Sequence, residues 1–210
     1  ALDRMAVGEG FQRWSQLAAH YDESQTARKI LGRIDDGDLL LLAAPREHGK
    51  TTLAFELMAA AVKDGHRSLY FTLSESADDI RRRSAAVGMQ GARATALFAY
   101  DTSEDICAAY IIDKMKAARP GTLIVIDYLQ ILDQQRRKAA LADQVIALKD
   151  FALSTGAIVL IISQINRGFD TSAKTLPGIR DVPLPNPLDL GLFTKACFLN
   201  DGELRFGGAA

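Results

Sequence analysis

An α/β protein, built on a mostly parallel, twisted sheet flanked by helices and ending in a C-terminal β-hairpin, follows from three features of the chain. Apolar runs such as Leu123-Ile124-Val125-Ile126 and Ile158-Val159-Leu160-Ile161-Ile162 alternate with stretches of helical period. Strands that are apolar on both faces belong in a parallel sheet covered by helices. One such run, Leu39-Leu40-Leu41-Leu42-Ala43, passes through a short polar loop straight into the helical pattern Leu53-Ala54-Phe55-Glu56-Leu57-Met58. Near the end, Asn200-Asp201-Gly202 separates Cys197-Phe198-Leu199 from Glu203-Leu204-Arg205-Phe206, and Asp-Gly between short apolar runs is a strong hairpin signal.

Residues 1–37 are expected to form a helical lead-in. Phe11, Trp14, Leu17 and Ala18, then Ala27, Ile30 and Leu31, fall at helical spacing, with Trp14 as the anchor against the main domain, residues 38–210. Asp36-Gly37-Asp38 is a turn into the first strand. Strands are expected over 38–43, 68–72, 96–100, 122–127 and 157–163, and helices over 51–63, 77–87, 105–118 and 139–155. Residues 164–191, which carry Pro177, Pro183, Pro185 and Pro187, read as a long surface loop of the kind that often serves function.

With 210 residues the chain can bury a sizeable core. A net charge of −1 excludes a global pull toward polyanions, so any contact of that kind must use a local patch. Cys107 and Cys197 lie far apart without metal-ligand spacing, which fits a reducing compartment. No apolar stretch is long enough to span a bilayer, and Ala1-Leu2-Asp3-Arg4 shows no signal pattern. A cytoplasmic protein without a membrane partner is therefore expected.

The polar loop carries the chemistry. Ala44-Pro45-Arg46-Glu47-His48-Gly49-Lys50-Thr51-Thr52 places Gly-Lys-Thr at a helix start directly after a strand. Backbone N–H groups at a helix N-terminus hold phosphate, so Pro45 through Thr52 form the expected cradle. Lys50 reaches the β and γ phosphates of a bound nucleotide, and the Thr51 hydroxyl ligates Mg²⁺. The spacing matches the P-loop pattern except that Ala44 occupies the place of the first glycine. Asp127 ends an apolar strand, where a carboxylate supports the metal shell, although an aspartate there also serves as a turn former. Gln164, leaving the 157–163 strand, is a candidate sensor of the γ-phosphate. Glu75, just past the 68–72 strand, is a candidate orienter of the attacking water. The same segment reads equally as a helix cap, Ser74 or Ser76 followed by Asp78 and Asp79. His48 occupies a variable place in the loop, and general-base work is not expected of it.

These segments together resemble the motor domain of DnaB-type replicative DNA helicases. The likeness rests on the loop and its strand, Tyr70-Phe71-Thr72-Leu73, Leu123 through Leu132 with Asp127-Tyr128-Leu129-Gln130, the helix Gln144–Thr155, Ile162 through Arg167, and Ile179-Arg180-Asp181. It covers about residues 36–182. The resemblance implies a RecA-like P-loop ATPase fold, ATP with Mg²⁺, a ring of identical copies, hexameric in this family, and single-stranded DNA in its channel. The loop basic patch Arg136, Arg137 and Lys138, with the 164–191 loop, is then the expected DNA contact, whereas Arg81-Arg82-Arg83 reads as helix surface.

The departures from the family matter equally. Ala44 replaces a glycine. Ser74 aligns with the family's catalytic glutamate, leaving Glu75 one position late. Lys195 matches the lysine of the family's Lys-x-Arg pair, but Cys197 takes the arginine place. An arginine finger contributes about 10³–10⁵ in rate, so a nucleotide-binding switch or assembly protein with weak or no hydrolysis is the alternative expectation.

Overall fold

A computed structural model of the protein describes residues 26–133, 139–166, 169, 175–184 and 186–209. After a short helical stretch at 26–31 come β1 (Leu39–Ala44), α1 (Lys50–Lys63), β2 (Ser68–Thr72), α2 (Ala77–Ala86), α3 (Gly91–Leu97), β3 (Phe98–Asp101), α4 (Ala108–Lys114), β4 (Leu123–Asp127), α5 (Leu141–Thr155), β5 (Ile158–Gln164), β6 (Lys195–Asn200) and β7 (Glu203–Gly208). The strands form one seven-stranded sheet in the order β3-β2-β4-β5-β1-β6-β7. Every pairing is parallel except β6 with β7, the antiparallel hairpin.

The apolar runs explain the layering. Leu39, Leu41, Ile124, Ile126, Val159 and Ile161 face one side and pack with Ile111 of α4 and Val145 and Leu148 of α5. Leu40, Leu42, Val125, Leu160 and Ile162 face the other and pack with Phe55, Met58 and Val62 of α1. Complete burial of such side chains contributes roughly 1.5–3 kcal/mol each, which is why β1 is buried at all six positions. At the C-terminus of α5, Gly156 takes φ 73°, and a Cβ there would sit 3.0 Å from Pro120, so only glycine closes this helix against the turn before β4.

Most expected elements hold within two residues, but three differ. Residues 91–97 are helix α3, and the strand expected over 96–100 is shifted to Phe98–Asp101. The run Ala96-Leu97-Phe98-Ala99-Tyr100 is apolar throughout, but its first two residues complete α3, and only Phe98 onward pairs with β2 at the half-exposed sheet edge. The helix expected over 105–118 is confined to Ala108–Lys114; the residues before and after it form turns. The 164–191 segment does not lie wholly on the surface, because Ile165, Val182 and Leu188 are buried in the core. The part of the lead-in that carries Trp14, and the basic patch Arg136, Arg137 and Lys138, lie outside the described residues.

Strand order decides where chemistry can gather. The parallel strands β1, β5, β4 and β2 end side by side, so residues 45–49, Gln164, Asp127 and the segment after Thr72 share one carboxyl edge. In open parallel sheets that edge is where ligands bind.

Candidate nucleotide site

The loop between β1 and α1 turns on two left-handed residues, Glu47 at φ 65° and Gly49 at φ 80°. Gly49 is the N-cap of α1 and offers no side-chain cap. The first intrahelical bond runs from Leu53 N–H to the Gly49 carbonyl at 2.9 Å. The amides of Lys50, Thr51 and Thr52 are thus left pointing out of the helix end, as a phosphate cradle requires. A Cβ added at Gly49 would meet nothing within 4 Å, so open space faces the loop. Ala44 causes no strain: it is the last residue of β1, paired in register with Gln164, and its methyl is buried.

Lys50 lies across the loop mouth, its Nζ donating to the Pro45 carbonyl at 2.8 Å. Burial lowers its pKa below the usual lysine value, against the attraction of Asp127. A half-buried cation held by one carbonyl is well placed to exchange that carbonyl for phosphate oxygens. One residue on, the Thr51 hydroxyl points inward and donates to Asp127 Oδ2 at 3.0 Å.

Asp127 is 7% exposed, and burial pushes its carboxyl above the usual range despite bonds from Tyr70 and Thr51 and the fields of Lys50 and Arg83. Its second donor is the Tyr70 hydroxyl, 2.7 Å from Oδ2. The same hydroxyl lies 3.4 Å from Glu75 Oε2, and Arg83 Nε donates to Glu75 Oε1 at 2.6 Å. Five side chains from α1, β4, β2, the turn after it and α2 therefore form a continuous chain: Thr51, Asp127, Tyr70, Glu75, Arg83.

The bend after β2 explains why Glu75 joins this chain and Ser74 does not. Ser74 is exposed and bonds back to the Thr72 hydroxyl at 3.0 Å. Ser76 caps α2 in a reciprocal box with Asp79, and Glu75, between them, faces the sheet edge. The helix-cap reading of this segment is present at Ser76, and Glu75 stands beside it at the edge where the other reading would need it. Arg81 and Arg82 pair with Asp78 and Asp79 on the helix surface, and Arg83, exposed like them, reaches Glu75, as expected for a surface trio. Gln164 is half-buried at the end of β5, in register with Ala44. Lys195 and Cys197 are on β6. The ammonium of Lys195 is held by Asp35 at 2.6 Å and Asp38 at 2.5 Å, at the amino edge of the sheet where β1 and β6 begin. Cys197 is buried in the sheet beside Leu42.

The donor set fits a magnesium–nucleotide group. Thr51 and Asp127 are hard oxygen donors on one side of the loop, which suits Mg²⁺. Among the described residues no group of three His, Cys, Asp or Glu side chains is placed to hold a metal; the remaining ligands would come from phosphate and water, as is usual for this ion. Ser163 Oγ, at the end of β5, and Gln130 Oε1, just past β4, are buried without a partner, polar atoms suited to a polar ligand at this edge.

A cleft of about 610 Å³ opens on the other side of the loop. Its walls are His48 and Gly49, the Thr52 and Glu56 face of α1, and Leu199 and Leu204 of the hairpin. It is large enough for a small organic ligand. His48 ties the loop to the hairpin turn, with Nδ1 donating to the Arg46 carbonyl at 2.7 Å and Nε2 lying 3.1 Å from Asp201 Oδ1. In the sequence alone Tyr70 and Arg83 had no role in the site, nor did Glu56, Leu199 and Leu204 of the cleft. The one signal for Tyr70 is a hydroxyl inside an otherwise apolar strand.

Residues 9–168 match the AAA domain family. The DNA repair protein RadA of Brucella abortus (strain 2308) is 30% identical over 150 residues, covering 69% of this chain and 32% of that protein. The replicative DNA helicase DnaB of Leifsonia xyli subsp. xyli (strain CTCB07) is 27% identical over 185 residues, covering 73% and 40%. The chain thus spans about a third to two fifths of the length of these relatives. A solved DnaB-like replicative helicase, described with its interactions with primase, superposes with a TM-score of 0.61 at 16% identity, covering 80% of this chain and 48% of that one. A second solved structure, itself an ATPase domain, superposes with a TM-score of 0.55 at 16% identity, covering 70% and 64%. These likenesses establish the RecA-like ATPase fold.

Proposed function

The chain belongs to the AAA domain family, and from that premise we propose that it is an ATP-binding and ATP-hydrolysing motor domain acting on single-stranded DNA as a ring of identical copies, with residues 38–210 as the ATPase domain. The observation that carries this reading is the continuous chain from Thr51 through Asp127 and Tyr70 to Glu75, beside a lysine lying across the loop mouth. Phosphoryl transfer needs little covalent chemistry from the protein; it needs positioning and charge stabilisation. The amides of residues 46–52 and Lys50 would hold the phosphates, Thr51 and Asp127 would hold Mg²⁺, and Glu75 would orient the attacking water. Bound there, Mg²⁺ would neutralise charge developing on the β and γ phosphates. Gln164, at the end of the strand between those of the loop and Asp127, would sense the γ-phosphate, and the cleft beside His48 and Glu56 would take the nucleoside. The names of the relatives, a replicative helicase and a DNA repair protein, support the DNA assignment, with Arg136, Arg137, Lys138 and the 164–191 loop as its contacts. A hexamer follows from the same resemblance, and a cytoplasmic setting from the cysteine usage and the absence of a signal pattern; among the described residues no helix is long and apolar enough to cross a membrane.

A second reading, a nucleotide-dependent switch or assembly protein with weak hydrolysis, is favoured by β6. There Lys195 is neutralised by Asp35 and Asp38 and the next outward candidate is a buried cysteine, so this hairpin strand presents no free cation to a neighbour. Turnover of ATP with and without single-stranded DNA, measured with the mass of the assembly, separates the two. The motor reading expects turnover of about 1–100 s⁻¹ that DNA stimulates and that falls at least about 100-fold in Lys50→Ala. Turnover unchanged by DNA at low salt would refute it; a nucleotide-dependent change in mass with negligible turnover would establish the switch.

A further inference from the structure

We propose that Tyr70 is a positioning residue of this site, its buried hydroxyl fixing Asp127 and Glu75 relative to one another. The proposal rests on the ATPase reading above.

Tyr70 is completely buried in β2, the strand beside β4. Its ring meets that of Phe55 edge-on, with centroids 5.0 Å apart and planes at 63°, and this packing fixes the direction of the hydroxyl. For the core alone a phenylalanine would serve as well, since the ring supplies the apolar area and a buried hydroxyl is unfavourable without a partner. Here the bonded partner is one of the two carboxylates that the site requires, Asp127 at 2.7 Å, and the other, Glu75, lies 3.4 Å away.

A phenol has one proton and donates it to one acceptor at a time. The shorter contact assigns it to Asp127 Oδ2, which also accepts from Thr51. With both donors on Oδ2, that end of the carboxylate is held in place. Glu75 is held from outside by Arg83 and meets the phenol on its inner side. The phenol thus stands between the two carboxylates and keeps them apart. Tyr70 thereby sets the spacing between the metal-side carboxylate and the water-side carboxylate. A misplacement of about 1 Å at such a site costs on the order of 100-fold in rate.

Tyr70→Phe in the full chain is the test, read by melting temperature, by ADP affinity with and without Mg²⁺, and by kcat and KM for ATP. The ring is retained, so the melting temperature changes by less than about 5 °C and metal-free ADP binds as before. The gain in ADP affinity from Mg²⁺ falls about tenfold and kcat falls about 10- to 100-fold, the worth of a hydrogen bond to a charged group, with KM nearly constant. A variant that melts lower but keeps every ligand constant and kcat would make the hydroxyl a core feature and overturn the proposal. If the variant does not fold, Tyr70→Phe combined with Asp127→Asn decides: restored folding shows that the hydroxyl serves that carboxylate, and persistent unfolding overturns the proposal. If the unaltered protein itself neither binds Mg-ADP nor turns over ATP, the functional reading fails; if it does both and Tyr70→Phe matches it, only the role of Tyr70 fails.

Discussion

Replacing Asp127 by Asn should stabilise the protein without ligand and cripple it with ligand. Oδ2 of Asp127 accepts both recorded bonds, from Thr51 at 3.0 Å and Tyr70 at 2.7 Å. The carbonyl oxygen of an asparagine can accept the same two, with its amide where Oδ1 stood. What disappears is the charge. Burial raises the pKa of Asp127 in the folded state, so the fold favours its protonated form. Near neutral pH its ionisation therefore opposes folding, an opposition that fades as pH falls through the raised folded value and is gone below the ordinary value of about 4. Its relief raises the melting temperature, by about 2–4 °C for each kcal/mol in a chain of this size. With ligand the sign reverses. Mg-ADP at 100 times its Kd stabilises the unaltered protein by about 2.7 kcal/mol, and a 100-fold weaker Kd reduces that to about 0.4 kcal/mol. Thermal unfolding without ligand, with ADP, and with ADP and Mg²⁺ should show the two melting curves exchanging order. If Asp127→Asn melts lower without ligand, the carboxylate is structural; if its Mg-ADP shift equals that of the unaltered protein, it does not support the metal. Either result refutes the reasoning.

Two further outcomes test the frame around the site. Gly49→Ala should lose about 1–2 kcal/mol from its left-handed backbone alone, because its φ is 80° and no atom lies within 4 Å of the added Cβ. Gly88→Ala, at φ 75° and equally open, should melt similarly lower, but only Gly49→Ala should also weaken nucleotide binding, as read by calorimetry. Lys195→Met leaves Asp38, which is 8% exposed, without its ammonium partner, and breaking such a pair costs about 3–5 kcal/mol, or roughly 10 °C in melting temperature. Burial works against the charge of Asp38, yet bonds from Lys195, the Asp35 amide and Thr194 hold its pKa below the usual value. Its stabilisation is thus full above about pH 4 and lost as pH falls through the lowered folded value, and melting curves of the variant should lack that acid-side loss.

The sheet was legible in the chain because strands buried on both faces must be apolar throughout, and β1, β4 and β5 are. The loop was legible because phosphate binding depends on local backbone geometry, which a nine-residue stretch encodes by itself. The edge strand β3 was expected within two residues of its place, but the helix α3 before it was not, since the apolar run Ala96–Tyr100 is shared between the end of that helix and the strand. Ala44 had raised a question of strain that its extended position in β1 answers. Glu75 could be nominated from its place after a strand, but adjacency in sequence could not choose between it and Ser74, since the choice depends on a bend that the capping of α2 by Ser76 imposes.

Local spacing thus specified the strands, the loop and the carboxylates that end strands, all of which depend on neighbours within a few residues. Only the tertiary structure joined Thr51 to Asp127, 76 positions away, and Tyr70 to Asp127, 57 positions away. It also joined Arg83 to Glu75 and committed Lys195 to Asp35 and Asp38. Those contacts arise from strand order and packing direction, and a buried hydroxyl finds its partners only once the sheet has brought distant strands side by side.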